Sequence, residues 1–256
     1  MACHRADGRA ACRGARCRQH GCRRRVDHDH RAGRRAATAA SRRVPSRRPG
    51  LPITTLATGT TVEFIDIVVV IVAYLLGTFP SAELVASRFG KEITKVGSGN
   101  PGASNVIREL GWKAGMTVFL LDMAKAAIAV GIAWAASGEQ RGALSYAAMC
   151  GAIVGHVAPV FRKFKGGKGV ASGGGALFVL FPEVSAVLFV SWFVISKVTR
   201  KASVASLAIT VATPIGMVID GAERWELYVV LGVVAFVIVK HLPNIRRLRS
   251  KTEPSL

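Results

Sequence analysis

Beyond residue 62 the chain alternates long apolar blocks with short polar joints, and no other feature restricts its fold as much. The blocks run near 64–79, 114–136, 144–161, 170–181, 184–197, 203–219 and 227–240. A hydrocarbon layer about 30 Å thick takes about 20 apolar residues per crossing helix, and shorter blocks must be buried by neighbours. Lipid supplies no hydrogen-bond partners, so the backbone must satisfy itself within helices. The expected fold is all-α, a polytopic membrane protein of about seven transmembrane helices, with five or six as the lower counts. Block 170–181 is short and contains Gly173-Gly174-Gly175, so a broken or re-entrant segment is the alternative there. Half the residues are apolar and the mean hydropathy is positive, which excludes an ordinary soluble domain.

The joints give an orientation. Arg88, Lys91, Lys95, Arg108 and Lys113 fall in one joint, and Arg162, Lys163, Lys165 and Lys168 in another. Lys197, Arg200 and Lys201 make a third basic joint, and Arg246, Arg247, Arg249 and Lys251 follow the last block. The joints between these hold Glu139 with Arg141, then Glu183, then Asp220, Glu223, Arg224 and Glu226. Every second joint is basic, the positive-inside pattern of a bacterial inner-membrane protein with a cytoplasmic C-terminus.

Residues 1–50 are a different material, with 15 Arg, no Lys and 3 acids. Almost nothing there can be buried, so residues 1–61 are expected to be a disordered Arg-rich tail ahead of a membrane domain over 62–256. A nucleic-acid-binding arm and an organellar transit peptide are two readings of such a tail. With seven spans it would have to cross the membrane against the charge rule. The preferred reading is therefore upstream sequence translated from a wrongly chosen start, with Val62 as the candidate true start and no nucleic-acid partner. Cys12, Cys17 and Cys22 are not spaced as a zinc knuckle, so no metal is expected, and Cys150 is alone in the apolar part.

Three polar segments on the basic side carry the chemistry. The first is Lys95-Val96-Gly97-Ser98-Gly99-Asn100-Pro101-Gly102-Ala103-Ser104-Asn105-Val106, followed by Arg108. Glycines let successive backbone amides form an anion nest, Ser and Asn add donors, and Arg grips phosphate with two bonds. A helix starting near Ser104 would aim its N-terminus at the same anion. The match to G-x-G-x-x-G at Gly97, Gly99 and Gly102 is no dinucleotide site, because no βαβ unit surrounds it. The second segment is Gly155-His156 with Lys165-Gly166-Gly167-Lys168-Gly169. It is not a Walker loop, but lysines amid glycines suit a phosphate or acyl phosphate better than a plain headgroup contact. The third is His241, Asn244 and Arg247, which share one face if the last helix continues; alone it reads as a basic tail. Asp122 and Lys125 share a face inside a span, as a structural ion pair or as part of a site.

Together these segments resemble the PlsY family of membrane glycerol-3-phosphate acyltransferases. The resemblance covers residues 64–253 and includes Gly77-Thr78-Phe79-Pro80-Ser81, Leu121-Asp122 with Lys125, and Asn244-Ile245 with Arg247-Leu248. It departs at Thr78, at the glycine-rich run Ser172–Gly175, and at Lys251. It implies seven helices, a cytoplasmic-face site, and transfer of a fatty acyl group from acyl phosphate to glycerol 3-phosphate in the membrane lipid, without metal or cofactor. The soluble enzyme that makes acyl phosphate is a further implied partner. On this basis Ser98, Asn100, Ser104, Asn105 and Arg108 are assigned to one phosphate. Lys165 and Lys168, with Gly166 and Gly167, hold the other or clamp the developing negative charge, and Asn244 and Arg247 close the glycerol phosphate end. His156, Lys168 and Arg108 are the candidate catalytic residues. His156 is either the base for the glycerol hydroxyl or a positioning group, a phosphate oxygen then taking the proton. The rival class is a small-anion transporter, which calls for broken segments near the midplane and internal repeats.

Overall fold

The computed structural model describes residues 52–55 and 61–256. The Arg-rich stretch over 1–50 lies outside them. At the end of the expected tail, β1 (Pro52–Thr55) pairs antiparallel with β2 (Thr61–Glu63), in a sequence rich in the β-branched residues that favour extended backbone.

Helices account for the rest. α1 (Phe64–Gly77) bends at Thr78-Phe79-Pro80 into α2 (Ser81–Ser87), as expected where proline disfavours continued helix before it. A loop leads to α3 (Ala103–Leu110), which begins beside the start expected near Ser104, whereas α2 stands in a stretch read from sequence as loop. α4 (Trp112–Ser137), α5 (Ala143–Val157), α6 (Val170–Leu180), α7 (Pro182–Thr199), α8 (Ala202–Ile219) and α9 (Arg224–Arg249) follow. Among the described residues, six helical stretches are long and apolar enough to cross a membrane, with α1 and α2 taken together and α5 taken with the 3-10 turn Val160–Arg162 that follows it. The seventh, α6, has 11 residues. It is continuous, not re-entrant, but reaches only about 16 Å at 1.5 Å per residue. Packing against α4, α7 and α5 buries what lipid would not accept at that length.

The joints sort to two ends. At one, the Arg141 guanidinium donates to both Glu226 carboxylate oxygens, at 2.8 and 2.5 Å, and lies 4.2 Å over the Phe181 ring. The Tyr146 hydroxyl donates to the same carboxylate at 2.8 Å. These contacts join the start of α5, the α6–α7 junction and the start of α9. At the other end Arg162 pairs with Glu83, the Leu256 amide donates to the Arg200 carbonyl at 2.9 Å, and Lys201 reaches the Glu253 carbonyl. The basic joints thus share one end of the bundle, about 30 Å from Glu226 by the rise along α9.

Small residues set the closest helix contact. A Cβ on Gly77 would overlap the Ala152 carbonyl of α5, and one on Gly155 the Tyr74 carbonyl of α1. Backbones approach this closely where dispersion drives association in lipid. Around that seam lie Ala73, Ala129, Val130, Met149 and Ile153, all buried, whereas Ile71, Leu120, Val187, Val194 and Ile215 face outward. Large apolar side chains on the outside are the expected surface of a bundle solvated by hydrocarbon. Gly155→Val should force α1 and α5 apart and destabilise the fold by about 1–3 kcal/mol, the usual cost of overpacking. A fall in the thermal unfolding midpoint of the purified protein, relative to wild type, would register it.

Candidate active site at the basic end

The glycine-rich loop after α2 is held by one side chain. Asn105, in the first turns of α3, accepts the Ser98 amide on Oδ1 at 2.9 Å. Its Nδ2 donates to the Ile93 and Val96 carbonyls at 3.2 and 3.1 Å. Gly97 is at φ +57°, and a Cβ there would run into Asn105 and Glu109. The anion nest expected from this loop is not formed. Gly99 donates to the Val96 carbonyl, Gly102 to the Asn100 carbonyl, and the Asn100 amide to Ser98 Oγ at 3.4 Å. The loop spends its amides on its own turns, and the donors left toward the interior are mainly side chains and the start of α3. Asn105 itself, assigned from sequence to a phosphate, has its amide engaged by the backbone.

The second glycine segment packs on α5. Gly166 and Gly167 amides donate to the Val157 and His156 carbonyls, each at 3.1 Å. A Cβ on Gly167 would overlap the His156 ring, so glycine is required for this approach. The turn carries Lys168 inward, where its ammonium donates to Asn244 Oδ1 at 2.5 Å. Asn244 is available because α9 continues through Pro243 to Arg249, so His241, Asn244 and Arg247 stand on one face. The sequence-based end of this helix at 240 was nine residues short. Proline removes one N–H there, but near a helix end the freed carbonyl lies close to the polar end of the bundle.

These segments enclose one polar cavity. Ser98, Asn100, Ser104, Asn105, Arg108, His156, Lys168 and Asn244 line it, joined by Asp122, Ser203 and His241. A second, outer cavity shares Ser98, Asn100, Lys168 and Asn244, and adds Lys165, Gly166, Arg247 and Lys240. Lys165 is exposed at this mouth, while Gly167 is buried behind it against His156. Every residue chosen from sequence therefore falls at one end of the bundle, at the inner cavity, the mouth or the packing behind them. The inner cavity adjoins an apolar groove between α4, α6, α7, α8 and α9. Phe119, Gly169, Val170 and Trp192 line both, and the groove runs on past Leu177, Phe189, Val233 and Val230.

Electrostatics at the cavity favour an anion. Among the described residues nothing bonds the buried Nε of Arg108. Burial lowers the Arg108 pKa from its ordinary value, with Glu253 opposing the shift. Lys168 is brought down to about 8, first by burial and then by Arg247 and Arg108, against the pull of Glu253. Glu253 was overlooked among the basic residues around it. It is 4% exposed, accepts from Asn244 Nδ2 and Arg247 Nε at 2.7 Å each, and thereby fixes both. Burial works against its charge, but those bonds hold its carboxyl below the usual range. A lone acid seven residues past His241-Leu242-Pro243-Asn244-Ile245-Arg246 was the signal available for it. Ser203, at the start of α8, had no sequence signal.

The family model described as glycerol-3-phosphate acyltransferase matches residues 67–251. A protein of that name from Rubrobacter xylanophilus is 37% identical over 74% of this chain and 94% of its own length. One from Aquifex aeolicus is 38% identical over 72% and 95%. The crystal structure of PlsY, an integral membrane glycerol 3-phosphate acyltransferase in its glycerol 3-phosphate form, superposes with a TM-score of 0.71 at 35% identity, covering 75% of this chain and 96% of that one. Its lysophosphatidic acid form gives 0.70.

The Lys168 shift sets a pH dependence. In the empty site the ammonium is charged below about 8 and neutral above it. A phosphate monoester is already dianionic above its second pKa of roughly 6, so its own charge does not change in that range. Its affinity should therefore fall as pH rises from 7 through 9. Calorimetric titration should show that limb in wild type and a flat, weaker response in Lys168→Met.

Proposed function

The chain belongs to the glycerol-3-phosphate acyltransferase family, and on that footing we propose that it moves a fatty acyl group from acyl phosphate to glycerol 3-phosphate, giving 1-acyl-sn-glycerol 3-phosphate and phosphate. The observation that carries this reading is the junction of the two cavities. A cationic chamber holding Arg108 and Lys168 abuts a groove lined by Phe119, Leu177, Phe189 and Trp192, with Phe119 and Trp192 lining both. Such a shape fits a molecule with a phosphate head and a hydrocarbon tail. The glycerol 3-phosphate and lysophosphatidic acid forms of PlsY name the acceptor and the product of this same reaction, which supports the reading.

The chemistry asks little of a nucleophile, because acyl phosphate is a mixed anhydride with a good leaving group. Two anionic substrates must instead be brought together, and fixed cations cancel their repulsion while the chamber orients them. Arg108, Lys168 and Arg247 supply that charge, and Asn244, held by Lys168 and Glu253, supplies directed bonds. The acyl chain lies in the groove, so its carbonyl carbon stops at the junction beside Gly169 and Val170. The basic end faces the cytoplasm of a bacterial inner membrane, where both substrates and the soluble enzyme that makes acyl phosphate are found; alternate joint charge supports this side. A transporter would need its polar groups near the midplane, whereas here they gather at one end.

The donor is tested with purified protein in lipid, offering glycerol 3-phosphate with either acyl phosphate or acyl-CoA. Product is expected from acyl phosphate alone, and Arg108→Ala should lower kcat/KM by about 100-fold or more, as for other transition-state charge clamps. Equal use of acyl-CoA would reject the donor assignment.

A further inference from the structure

The apolar groove beside the chamber has three walls, and two of them are stiff. Rings from α4 and α7, with Phe178 from the end of α6, form one. Phe119 and Trp192 have centroids 5.9 Å apart, and Phe189 meets Phe119 and Phe178 at 6.0 and 5.9 Å. Aromatic contacts of this kind hold the rings against one another. α9 gives a second wall of Val230, Val233, Val234 and Val237, whose branched side chains favour a single rotamer in a helix. The third wall is α6. Val170, Gly173, Gly174, Leu177 and Phe178 line the groove, a spacing of three and four that puts them on one helix face. At its middle, therefore, this wall has no side chains.

The glycines of α6 answer different needs. Gly175 faces α4, where a Cβ would overlap the Met123 backbone, so packing requires it. Among the described residues nothing requires the other two. A Cβ on Gly174 would meet no atom within 4 Å, and one on Gly173 only Ile153 Cδ1 at 3.8 Å, an ordinary contact. Neither has a positive φ, and both lie inside a helix, where alanine is more favourable than glycine. What they supply is space in the groove. Gly169 and Val170 line the groove and the chamber alike. From Val170, Gly174 stands about 6 Å and Phe178 about 12 Å further along α6, by the rise of the helix. An acyl chain whose carbonyl rests at the junction passes the glycine pair with its first few carbons.

We propose that Gly173 and Gly174 are specificity-determining residues, which keep the groove open beside the first carbons of the acyl chain and so let a long chain enter it. This deepens the acyl-transfer reading and rests on it. A side chain at either position would fill the space between two walls that cannot move aside. It would leave room for a short acyl group at the junction and exclude the carbons beyond.

The test uses the full chain purified in lipid, with glycerol 3-phosphate as acceptor and hexadecanoyl or butanoyl phosphate as donor. Gly174→Leu should lower the ratio of kcat/KM for hexadecanoyl over butanoyl phosphate by about tenfold or more, since even one methylene in an apolar pocket discriminates on that order. Gly174→Ala should lower the ratio in the same direction but less, with a thermal unfolding midpoint no lower than wild type. A purely structural role predicts the opposite for that midpoint. A ratio unchanged in both variants would overturn the proposal, as would an equal loss with both donors, the mark of a helix that has merely stiffened. Should leucine lower the midpoint, the alanine variant decides. Product binding separates this inference from the reaction beneath it. By calorimetry, Gly174→Leu should lose affinity for 1-hexadecanoyl-glycerol 3-phosphate at least about tenfold more than for glycerol 3-phosphate. That comparison needs no donor and no turnover, so it decides the role of the glycines even if acyl phosphate is rejected. Equal change for the two ligands would overturn it.

Discussion

Hydrocarbon offers a backbone no hydrogen-bond partner, and the rest of this molecule follows from that. Within the layer the chain must be helical, so its turns and glycine-rich loops gather at the two ends. A phosphate-binding chamber needs turns, close backbone approach and charged side chains, and such groups are tolerated cheaply only near the polar boundary. The basic end therefore holds both the loop of Gly97–Gly102 and the turn of Gly166–Gly169, and the site forms where they meet α9. The same constraint gives the groove its character. Helices that must be apolar for lipid also provide an apolar slot between α6, α7, α8 and α9 for a hydrocarbon chain.

Charge inside the bundle is rationed accordingly. The deepest ionic groups among the described residues are matched: Asp122 with Lys125, and Glu226 with Arg141. Breaking such a pair leaves an uncompensated buried charge, and that cost is far greater than the net gain from forming it. At the chamber the balance differs. Arg108, Lys168 and Arg247 gather around Glu253, which leaves an excess of positive charge that favours an anion. Glu253 holds Asn244 and Arg247 in place, so it completes a site begun at Ser98, far earlier in the chain.

Much of this was legible in the chain. The seven blocks, the alternation of joint charge and the three polar segments are local patterns, each set by the composition of a few adjacent residues. Helix ends were less legible. α9 runs on through Pro243, and α2 forms inside a joint that looked like loop, because packing against α4 and burial of Ala82 and Ala86 stabilise turns whose own sequence is ambiguous. Asn105 shows a deeper limit: its type suggested a ligand-binding amide, yet only the fold reveals that Ile93, Val96 and Ser98 occupy it.

The sequence by itself determined that the chain is a helical membrane bundle with cationic, glycine-rich segments at one boundary, because hydrophobic length and charge placement are properties of contiguous residues. Only the tertiary structure decided which atoms meet. Lys125 reaches His156 from another helix, Glu253 reaches Asn244 and Arg247 across a turn, and the polar chamber lies against the groove. Such pairings depend on how helices approach through small residues such as Gly77 and Gly155, and distance along the chain carries no record of that approach.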